Sequence, residues 1–396
     1  MSIVSDILDQ IQLRGWDAAF EFTRQFDQIN MTVEQALWNP LNDPPARPDP
    51  ATQEAIDFAI NQIRRFHQAT RPQDIDVQQA SGLTLSERFL PLQRVGLYVP
   101  NGDYPLLSSL MMTAVPAQVA GVDDIVVAIA PRGDVRRNPL WIYTLQTLGI
   151  TQVLSVGGAQ AIGLLGYGAE SLLPVDLIAG PGNRFVAEAK QELQRRHVTG
   201  IDLTAGPSEV LVICDDPDYV EMATLDLLAQ AEHAPDTRAF LVTWNRSVAS
   251  AVESRLAQEE KPATLGTIEI RLVTGPDEAV REANRIAPEH LGLMGSGSES
   301  LLDRIRTAGA VFVGPMAGQA LGDYVAGPSH VLPTGGTGRF LAGLSTRTFM
   351  RRMSVIDAKP DLPEQFLKAG QMLAGLEGLH FHQKSLQARQ KIGGRS

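Results

Sequence analysis

The chain of 396 residues carries a formal net charge of -11, with 44% hydrophobic and 20% charged residues. This composition is typical of a soluble globular protein with two or three domains, and it excludes an intrinsically disordered chain. The acidic balance argues against a nucleic-acid partner, because phosphate binding requires clustered Lys and Arg. We therefore expect a small-molecule partner.

The sequence also bears on the cellular compartment. Cys214 is the only cysteine, so no intramolecular disulfide can form, and its apolar neighbours predict a buried strand position. Asp6 and Asp9 stand where a signal peptide would carry positive charge. Residues 139–169 contain no charged side chain, but their Gly, Gln and Thr favour a buried strand, turn and helix over a membrane span. We expect a cytoplasmic protein.

The N-terminal region has a helical pattern. Apolar positions in residues 1–26 predict two amphipathic helices broken near Gly15. Residues 37–52 contain five prolines and predict a connector, and residues 56–66 place apolar side chains on one face of a further helix. These helices are predicted to be packing elements.

From residue 95, short apolar runs alternate with amphipathic helices, which predicts βαβ units. The strands of a first series are predicted at residues 95–100, 124–131, 151–158 and 177–182, with helices at 107–121, 138–148, 159–169 and 183–196. A second series has strands at residues 208–215, 239–244, 268–274, 290–295 and 310–314, with helices at 221–233, 247–258, 276–286 and 299–307. After residue 345 this pattern stops, and a helix is predicted at 363–376.

The predicted fold class is α/β, with two Rossmann-like doubly wound parallel-sheet domains and small N-terminal helical and C-terminal extensions. Residues 1–94 form the N-terminal helical region, which we expect to pack partly on the second sheet domain. Residues 95–207 form the first sheet domain, residues 208–345 the second, and residues 346–396 a small C-terminal dimerisation region whose last residues are loose.

Ligands of open α/β sheets bind outside the carboxyl ends of the strands, so we looked for chemistry in the turns there. Several such turns contain clusters of glycine and polar residues, whose backbone could approach a phosphate closely. Each cluster could equally be a plain turn. The chain lacks a G-x-G-x-x-G fingerprint followed by an acidic residue, so the residues alone do not predict a nicotinamide enzyme. The clusters, some of them outside the sheets, cover residues 157–160, 180–183, 205–209, 288–290 and 322–330.

Two pairs of side chains suggest chemistry. Gln230 and His233 lie three positions apart and share one helix face, which could form half of a metal site, although an isolated surface or core His is more common. Glu289 and His290 combine a carboxylate with the side chain best suited to proton transfer at neutral pH, although a helix-ending Glu and a surface His would look the same. Further oxygen and nitrogen donors of the kind that zinc binds are Asp323, His330, His380 and His382.

Read together, these motifs closely resemble the histidinol dehydrogenase family, in the same order along nearly the whole chain. The matching stretches are RGWDAAFEFTRQFD, RVGLYVP, VGGAQAI, GPGN, AGPSEVLVI, QAEH, PEHL, GDYVAGPSHVLPT and EGLHFH. The resemblance implies a zinc-dependent enzyme of histidine biosynthesis that oxidises L-histidinol through L-histidinal to L-histidine with two NAD.

The resemblance also implies roles for individual residues. Glu289 and His290 match the catalytic pair, with His290 as general base and Glu289 activating water for the second oxidation. His380 lies at a variable position and has no assigned role. The implied zinc ligands are Gln230, His233, Asp323 and His382, and these residues with His290 also contact the substrate. The implied further substrate contacts are Ser208, His330 and Glu377, and the implied NAD contacts are Tyr98, Gln160 and Asn183.

The family is a homodimer in which the partner's C-terminal region completes the active site, so His382 and Glu377 are expected to come from the second chain. The sequence departs from the family pattern in three places. It begins about one helix later than expected, it has Asn101-Gly102 where Gly-Gly is expected, and it has Gly318-Gln319 where Pro-Glu is frequent. These departures affect the NAD loop and the substrate preference more than the metal site.

Other functions stay open on the sequence. A paralogue that oxidises another amino alcohol with zinc and NAD could keep every zinc ligand. A zinc hydrolase could use Glu289 with metal-bound water, and would not bind a nicotinamide cofactor. A zinc-retaining protein without catalysis is also conceivable, but the intact Glu289-His290 pair argues against it.

Overall fold

The computed structural model describes residues 2–102, 105–203, 206–259 and 265–393. The chain forms two compact units. The first comprises residues 1–71 and 92–349, and the second comprises residues 72–91 and 350–396. The predicted N-terminal region therefore contributes to both units.

The helices and strands have the following bounds. The helices are α1 Ile3–Arg14, α2 Trp16–Asp27, α3 Val33–Ala36, α4 Pro50–Thr70, α5 Leu107–Ala120, α6 Pro139–Thr147, α7 Gly158–Tyr167, α8 Arg184–Arg195, α9 Val220–Ala231, α10 Arg246–Leu256, α11 Pro276–Ile286, α12 Ser296–Glu299, α13 Gln319–Tyr324, α14 Glu364–Leu376 and α15 His380–Gly393. The strands are β1 Leu37–Trp38, β2 Ile75–Ala80, β3 Leu83–Pro91, β4 Arg94–Val99, β5 Asp124–Ile129, β6 Gln152–Leu154, β7 Leu177–Ala179, β8 Gly200–Ile201, β9 Glu209–Cys214, β10 Arg238–Thr243, β11 Thr267–Leu272, β12 His290–Met294, β13 Ala310–Val313 and β14 Met350–Ala358.

The two predicted N-terminal helices are confirmed as α1 and α2, with the break at Gly15, whose φ of 52° suits glycine. Both helices share one core cluster with the helices of the first sheet. Ile11 of α1 lies against Gly163 of α7, where an added Cβ would come within 3.1 Å of the Ile11 side chain. The expected packing on the second sheet is therefore wrong for α1 and α2, because their apolar faces fit the small residues of α7.

The predicted connector at residues 37–52 is only partly correct. Leu37 and Trp38 form β1, which pairs with β6 in antiparallel orientation, and the Trp38 indole Nε1 donates to Ser155 Oγ at 2.8 Å. A strand of two residues is too short for a periodic signal, so it depends on this long-range pairing. The predicted helix is confirmed as α4, which is capped by the Asp49 side chain.

The first sheet has the strand order β1-β6-β5-β4-β7-β8. All pairs except β1 with β6 are parallel, and β4 is buried along its length. After β4, the chain adds β5 and β6 on one side of that strand and then β7 and β8 on its other side. The topological switch point therefore lies between β4 and β7. A ligand site is expected beyond the carboxyl ends of these two strands.

The second sheet is parallel, with the order β11-β10-β9-β12-β13 and a switch point between β9 and β12. The predicted doubly wound architecture is thereby confirmed. The helix predicted at residues 299–307 is wrong, since the chain forms α12 and a short 3-10 turn at Leu302–Arg304. Helix α12 begins before the predicted helix because the Asp215 carboxylate accepts the Ser298 N–H at 2.9 Å.

The second unit contains an antiparallel sheet in the order β14-β3-β2 and a pair of packed helices, α14 and α15. The helix predicted at residues 363–376 is confirmed as α14. The three strands were not predicted, because β2 and most of β14 are exposed and lack the apolar alternation of a half-buried strand. Residues 394–396 of the predicted loose end lie outside the described residues.

Residues 139–169 form α6, β6 and α7, whose interior side chains are buried in the first unit. The prediction of a buried strand, turn and helix is confirmed there. No helix among the described residues combines the length and apolar character needed to cross a membrane.

Candidate functional site

A cleft of about 510 Å³ lies beyond the carboxyl ends of the first sheet. Tyr98 is the penultimate residue of β4, and Gln160 lies in the first turn of α7. The Asn183 side chain caps α8 by accepting the Phe185 and Val186 N–H groups at 3.0 and 3.1 Å. The structure thus brings together the three residues predicted to contact NAD. The cleft is lined by Ile3, Ile7, Phe26, Asp27, Tyr98, Pro100, Asn101, Gly102, Leu106, Ala130, Arg132, Gly157, Gly158, Ala159, Gln160, Asn183 and Phe185.

Two glycines, Gly157 in the cleft lining and Gly180 beside it, allow backbone segments to approach closely. Gly180 has φ 110°, and an added Cβ would lie 2.2 Å from the carbonyl oxygen of Tyr98. A Cβ on Gly157 would lie 2.7 Å from Ala130 Cβ. The Tyr98 hydroxyl accepts the Gly158 N–H at 3.1 Å, and burial raises the pKa of Tyr98, so it stays neutral. The Tyr98 hydroxyl is therefore a neutral polar group that fixes the start of α7 at this end of the cleft.

Asn101, one of the departures from the family pattern, has a structural role at the cleft rim. Its amide donates to the carbonyl oxygens of Ala130 and Arg132 at 2.9 and 2.6 Å. The side chain thereby ties the turn after β4 to the turn after β5. The substituted turn is held by contacts that a glycine could not make.

A second group of polar residues lies at the amino ends of the second sheet, opposite the carboxyl ends at which open α/β sheets usually bind ligands. Glu289 immediately precedes β12, His290 begins it, and Glu209 begins the neighbouring β9. Helix α9 runs back after β9, so its last turn returns to this same edge. In the first sheet the cleft lies at the carboxyl ends of the strands, whereas in the second sheet these polar residues lie at the amino ends, because they start strands and end helices.

Glu289 and His290 are both buried, with exposed fractions of 7% and 4%. Glu289 Oε2 accepts the Glu209 N–H at 3.0 Å and lies 3.8 Å from His290 Nδ1. Burial raises the pKa of Glu289, against the opposing charge of His290. Burial lowers the pKa of His290, but the carboxylates of Asp323 and Glu289 together raise it above the ordinary value. The pair thus combines two buried groups of the types that transfer protons in catalysis.

His233 and Asp323 lie near this pair, since their charges act on its members, and Gln230 precedes His233 by three positions. Gln230 is buried in the last turn of α9, His233 follows that helix and is exposed, and Asp323 in α13 places Oδ1 at 3.6 Å from His290 Nε2. Burial raises the pKa of Asp323, but the charges of His290, His330 and His233 hold it below its ordinary value. Asp323 is therefore ionised at neutral pH.

These three side chains fit a zinc ion by their donor types. An imidazole nitrogen and a carboxylate oxygen are ordinary zinc ligands, and Gln230 adds an amide oxygen. His233 Nδ1 lies 2.9 Å from the Ala229 carbonyl oxygen, so Nδ1 donates there and Nε2 keeps a free lone pair, as metal-binding histidines require. In the described part of the chain, no three His, Cys, Asp or Glu side chains are grouped to hold a metal.

The predicted substrate contacts are divided between the two units. In the first unit, Ser208 is half-buried before β9, and His330 is oriented by its Nδ1, which lies 2.9 Å from the Asp323 carbonyl oxygen. In the second unit, Glu377 follows α14 and His382 lies in the first turn of α15, and both are exposed. The exposed side chains of the second unit are available to a ligand or a second chain.

Two acidic residues of the site were missed in the sequence. Glu209 accepts the Gly335 N–H at 3.2 Å, and burial raises its pKa. Burial and the charge of Asp323 raise the pKa of Asp226 to about 6. Asp226 lies four positions before Gln230, so the helix-face argument that joined Gln230 to His233 could also have found it, because residues three or four apart share a face.

The comparisons with known proteins agree with this architecture. The chain matches the histidinol dehydrogenase family over residues 1–390. Histidinol dehydrogenase from Ruegeria pomeroyi is 40% identical over 406 aligned residues, which cover 98% of this chain and 92% of that protein. The enzyme of that name from Prochlorococcus marinus is 38% identical, with 98% and 90% covered.

Solved structures show the same relationship. A crystal structure of histidinol dehydrogenase from Elizabethkingia anophelis superimposes with a TM-score of 0.87 at 29% identity, covering 98% of this chain and 92% of that one. An NAD-dependent aldehyde dehydrogenase from Sinorhizobium meliloti gives a TM-score of 0.52 at 13% identity, with 90% and 82% covered. At that identity the second similarity shows a related fold alone.

Proposed function

The chain belongs to the histidinol dehydrogenase family of oxidoreductases, and we propose that it oxidises L-histidinol through L-histidinal to L-histidine with two NAD and one zinc ion. The observation that carries the proposal is the buried Glu289-His290 pair with Asp323 Oδ1 3.6 Å from His290 Nε2. This pair can accept protons next to donors suited to a metal-bound substrate.

In the first oxidation the substrate alcohol loses a hydride and a proton to become an aldehyde. His290 is the general base that takes the hydroxyl proton. Its imidazole is held between two carboxylates, Glu289 at 3.8 Å from Nδ1 and Asp323 at 3.6 Å from Nε2, which stabilise the imidazolium that forms. NAD, when bound, accepts the hydride in each oxidation.

In the second oxidation, water adds to the aldehyde and the hydrate loses a hydride and a proton to give the carboxylic acid. Glu289 removes a proton from this water. Its raised pKa makes the ionised carboxylate a stronger base than an exposed glutamate. The Glu209 N–H, which donates to Glu289 Oε2, holds the carboxylate in place during the transfer.

Gln230, His233, Asp323 and His382 would hold the zinc, which when bound positions the imidazole and amino groups of the substrate without changing its own oxidation state. His330 and Ser208 contact the substrate from the second sheet. Asp323 has two functions in this arrangement, since its carboxylate faces His290 and its carbonyl oxygen orients His330.

Tyr98, Gln160 and Asn183 would bind NAD in the cleft of the first sheet. The cleft combines an apolar wall from Ile3 and Ile7 with backbone groups at the start of α7 and α8, which suits a nucleotide with a flat ring and phosphates. This is where an open α/β sheet binds its ligand.

The proposal includes a homodimer in the cytoplasm, in which Glu377 and His382 of each chain complete the other chain's site. These exposed residues carry the only proposed site contacts from the second unit. A monomer would then keep three zinc ligands, and its activity would depend on chain concentration.

The deciding experiment mixes zinc-loaded protein with L-histidinol and NAD and follows NADH. Two NADH per L-histidinol are expected, and no NADH above background would overturn the proposal. One NADH per substrate would indicate an alcohol dehydrogenase that stops at the aldehyde. Turnover of a different amino alcohol in place of L-histidinol would indicate the paralogue, and saturable NAD binding would argue against a zinc hydrolase.

A further inference from the structure

A buried ion pair lies beneath the nucleotide cleft of the first unit. Lys190 belongs to α8, and Asp202 follows β8; their side chains are 4% and 1% exposed. Lys190 Nζ donates to Asp202 Oδ1. Neither residue lines the cleft, and neither is explained by the proposed chemistry.

Both members of the pair bind the backbone of the same residue, Gly180, on the two peptide groups that flank its Cα. Asp202 Oδ2 accepts the Gly180 N–H at 2.8 Å, and Lys190 Nζ donates to the Gly180 carbonyl oxygen at 3.0 Å. The donor and the acceptor of Gly180 are therefore both satisfied by charged side chains. Charge-assisted hydrogen bonds of this kind are stronger and more directional than neutral ones.

Gly180 begins the turn from β7 into α8, at the switch point of the sheet. Its φ of 110° places it against the Tyr98 backbone, and Asn183 at the end of the same turn caps α8. Tyr98 and Asn183 are two of the three proposed NAD contacts. The distance between them depends on how the turn at residues 180–183 is held.

The chemistry of the pair favours orientation of this turn over simple packing. Burying two charges is unfavourable, and apolar side chains of similar size usually stabilise a core at least as well. A charged pair is useful where a specific peptide orientation must be held. Because the two charges neutralise each other, the pair adds no net charge to the cleft.

We propose that Lys190 and Asp202 are positioning residues for the nucleotide, which fix the backbone on both sides of Gly180 so that Asn183 and the start of α8 face the cleft. The inference rests on the proposed function, since it takes the first-sheet cleft as the NAD site. It predicts that loss of the pair weakens NAD binding while substrate binding at the second sheet is unchanged.

The test compares the zinc-loaded enzyme with Lys190→Met, Asp202→Asn and the double variant K190M/D202L. The double variant leaves no unpaired buried charge, so it is the variant best able to fold. Arg195→Met is the matched control, because Arg195 lies on the same helix but pairs with Glu192 at the surface. NAD affinity is measured by titration calorimetry, and KM for NAD, KM for L-histidinol and kcat by NADH formation.

The variants should raise both Kd and KM for NAD about tenfold, with KM for L-histidinol and kcat within about twofold and the control unchanged. An unchanged NAD affinity in a folded double variant would overturn the inference, whatever its thermal stability. A change in kcat and both KM values together would indicate general loss of structure and would also overturn it. A wild-type enzyme that binds no NAD would overturn the proposed function itself, and with it the inference that rests on it.

Hydrogen exchange of the wild-type enzyme gives a test that needs no variant. If the Asp202 carboxylate holds the Gly180 N–H, this amide should exchange as slowly as the amides of β7. Exchange at the rate of an exposed turn would show that the pair does not hold the peptide, and would overturn the inference even if no variant folds.

Discussion

His290 Nε2 lies 3.6 Å from Asp323 Oδ1, although His290 begins a strand of the second sheet and Asp323 lies in the short helix α13 that follows the last strand of that sheet. The same Asp323 contributes its carbonyl oxygen to His330. One residue therefore joins the proposed base, a proposed substrate contact and the proposed zinc site.

His290→Asn should lower the rate of L-histidinol oxidation by about a hundredfold or more, because the asparagine amide cannot accept the hydroxyl proton. The measurement is steady-state NADH formation with zinc-loaded enzyme. His197→Asn is the control, since His197 has a positive φ of 57° that asparagine tolerates and lies apart from the site. Activity of H290N near the wild-type value would show that His290 is not the base.

Glu289→Gln should chiefly slow oxidation of the aldehyde, by about a hundredfold, because the amide cannot take a proton from water. The Gln oxygen can still accept the Glu209 N–H, so the backbone arrangement is kept. Single-turnover experiments with L-histidinol and L-histidinal separate the two steps, and Glu253→Gln on the exposed face of α10 is the control. Equal slowing of both steps would contradict the separate roles of Glu289 and His290.

His382→Asn should lower the zinc content, because it removes one of four proposed ligands. His380→Asn is a closely matched control, since both histidines lie in the first turn of α15. Metal analysis of gel-filtered protein should give about one zinc per chain for the wild type and H380N, and less than about half for H382N. Full zinc content in H382N would exclude His382 as a ligand.

Removal of zinc by a chelator should abolish L-histidinol oxidation and leave NAD binding intact, because the proposed zinc ligands and the NAD cleft belong to different sheets. Titration calorimetry with NAD before and after chelation measures this separation. Loss of NAD binding together with zinc would contradict it, and restored NADH formation after zinc is returned would show that chelation is reversible.

His67 should make the first unit less stable in acid. Burial in α4 lowers its pKa from 6.5 to about 4, and neither ring nitrogen has a hydrogen-bond partner among the described residues. Between these values the unfolded chain binds a proton that the folded chain does not. The unfolding free energy is therefore highest above pH 6.5 and falls by up to about 3 kcal/mol as the pH drops to 4.

Urea denaturation between pH 4 and 7 measures this effect. His67→Leu should remove most of the pH dependence in this window, because leucine does not titrate and suits an apolar position. His380→Gln, on an exposed helix, should leave the dependence unchanged. An identical pH profile in H67L would show that other groups cause the acid sensitivity.

Several elements could be predicted from the sequence because their signals are local. The break at Gly15, the helices α4 and α14, and the alternating strands and helices from residue 95 follow from apolar periodicity and turn residues. The elements that were missed depend on distant partners. Strand β3 pairs with β14 over nine residues, from Leu83 with Ala358 to Pro91 with Met350, and no local pattern indicates such a pairing.

For the candidate site, too, some features follow from local sequence and others depend on contacts between distant residues. The sequence alone determined the α/β class, the motifs of the family and the residue types in each turn, because side-chain chemistry and short-range periodicity are written directly in the chain. Only the tertiary structure decided that Asp323 reaches His290, and that Lys190 and Asp202 meet at Gly180. Those contacts join residues that are distant in the chain, and they arise from the strand order and from the helices that return to each sheet edge.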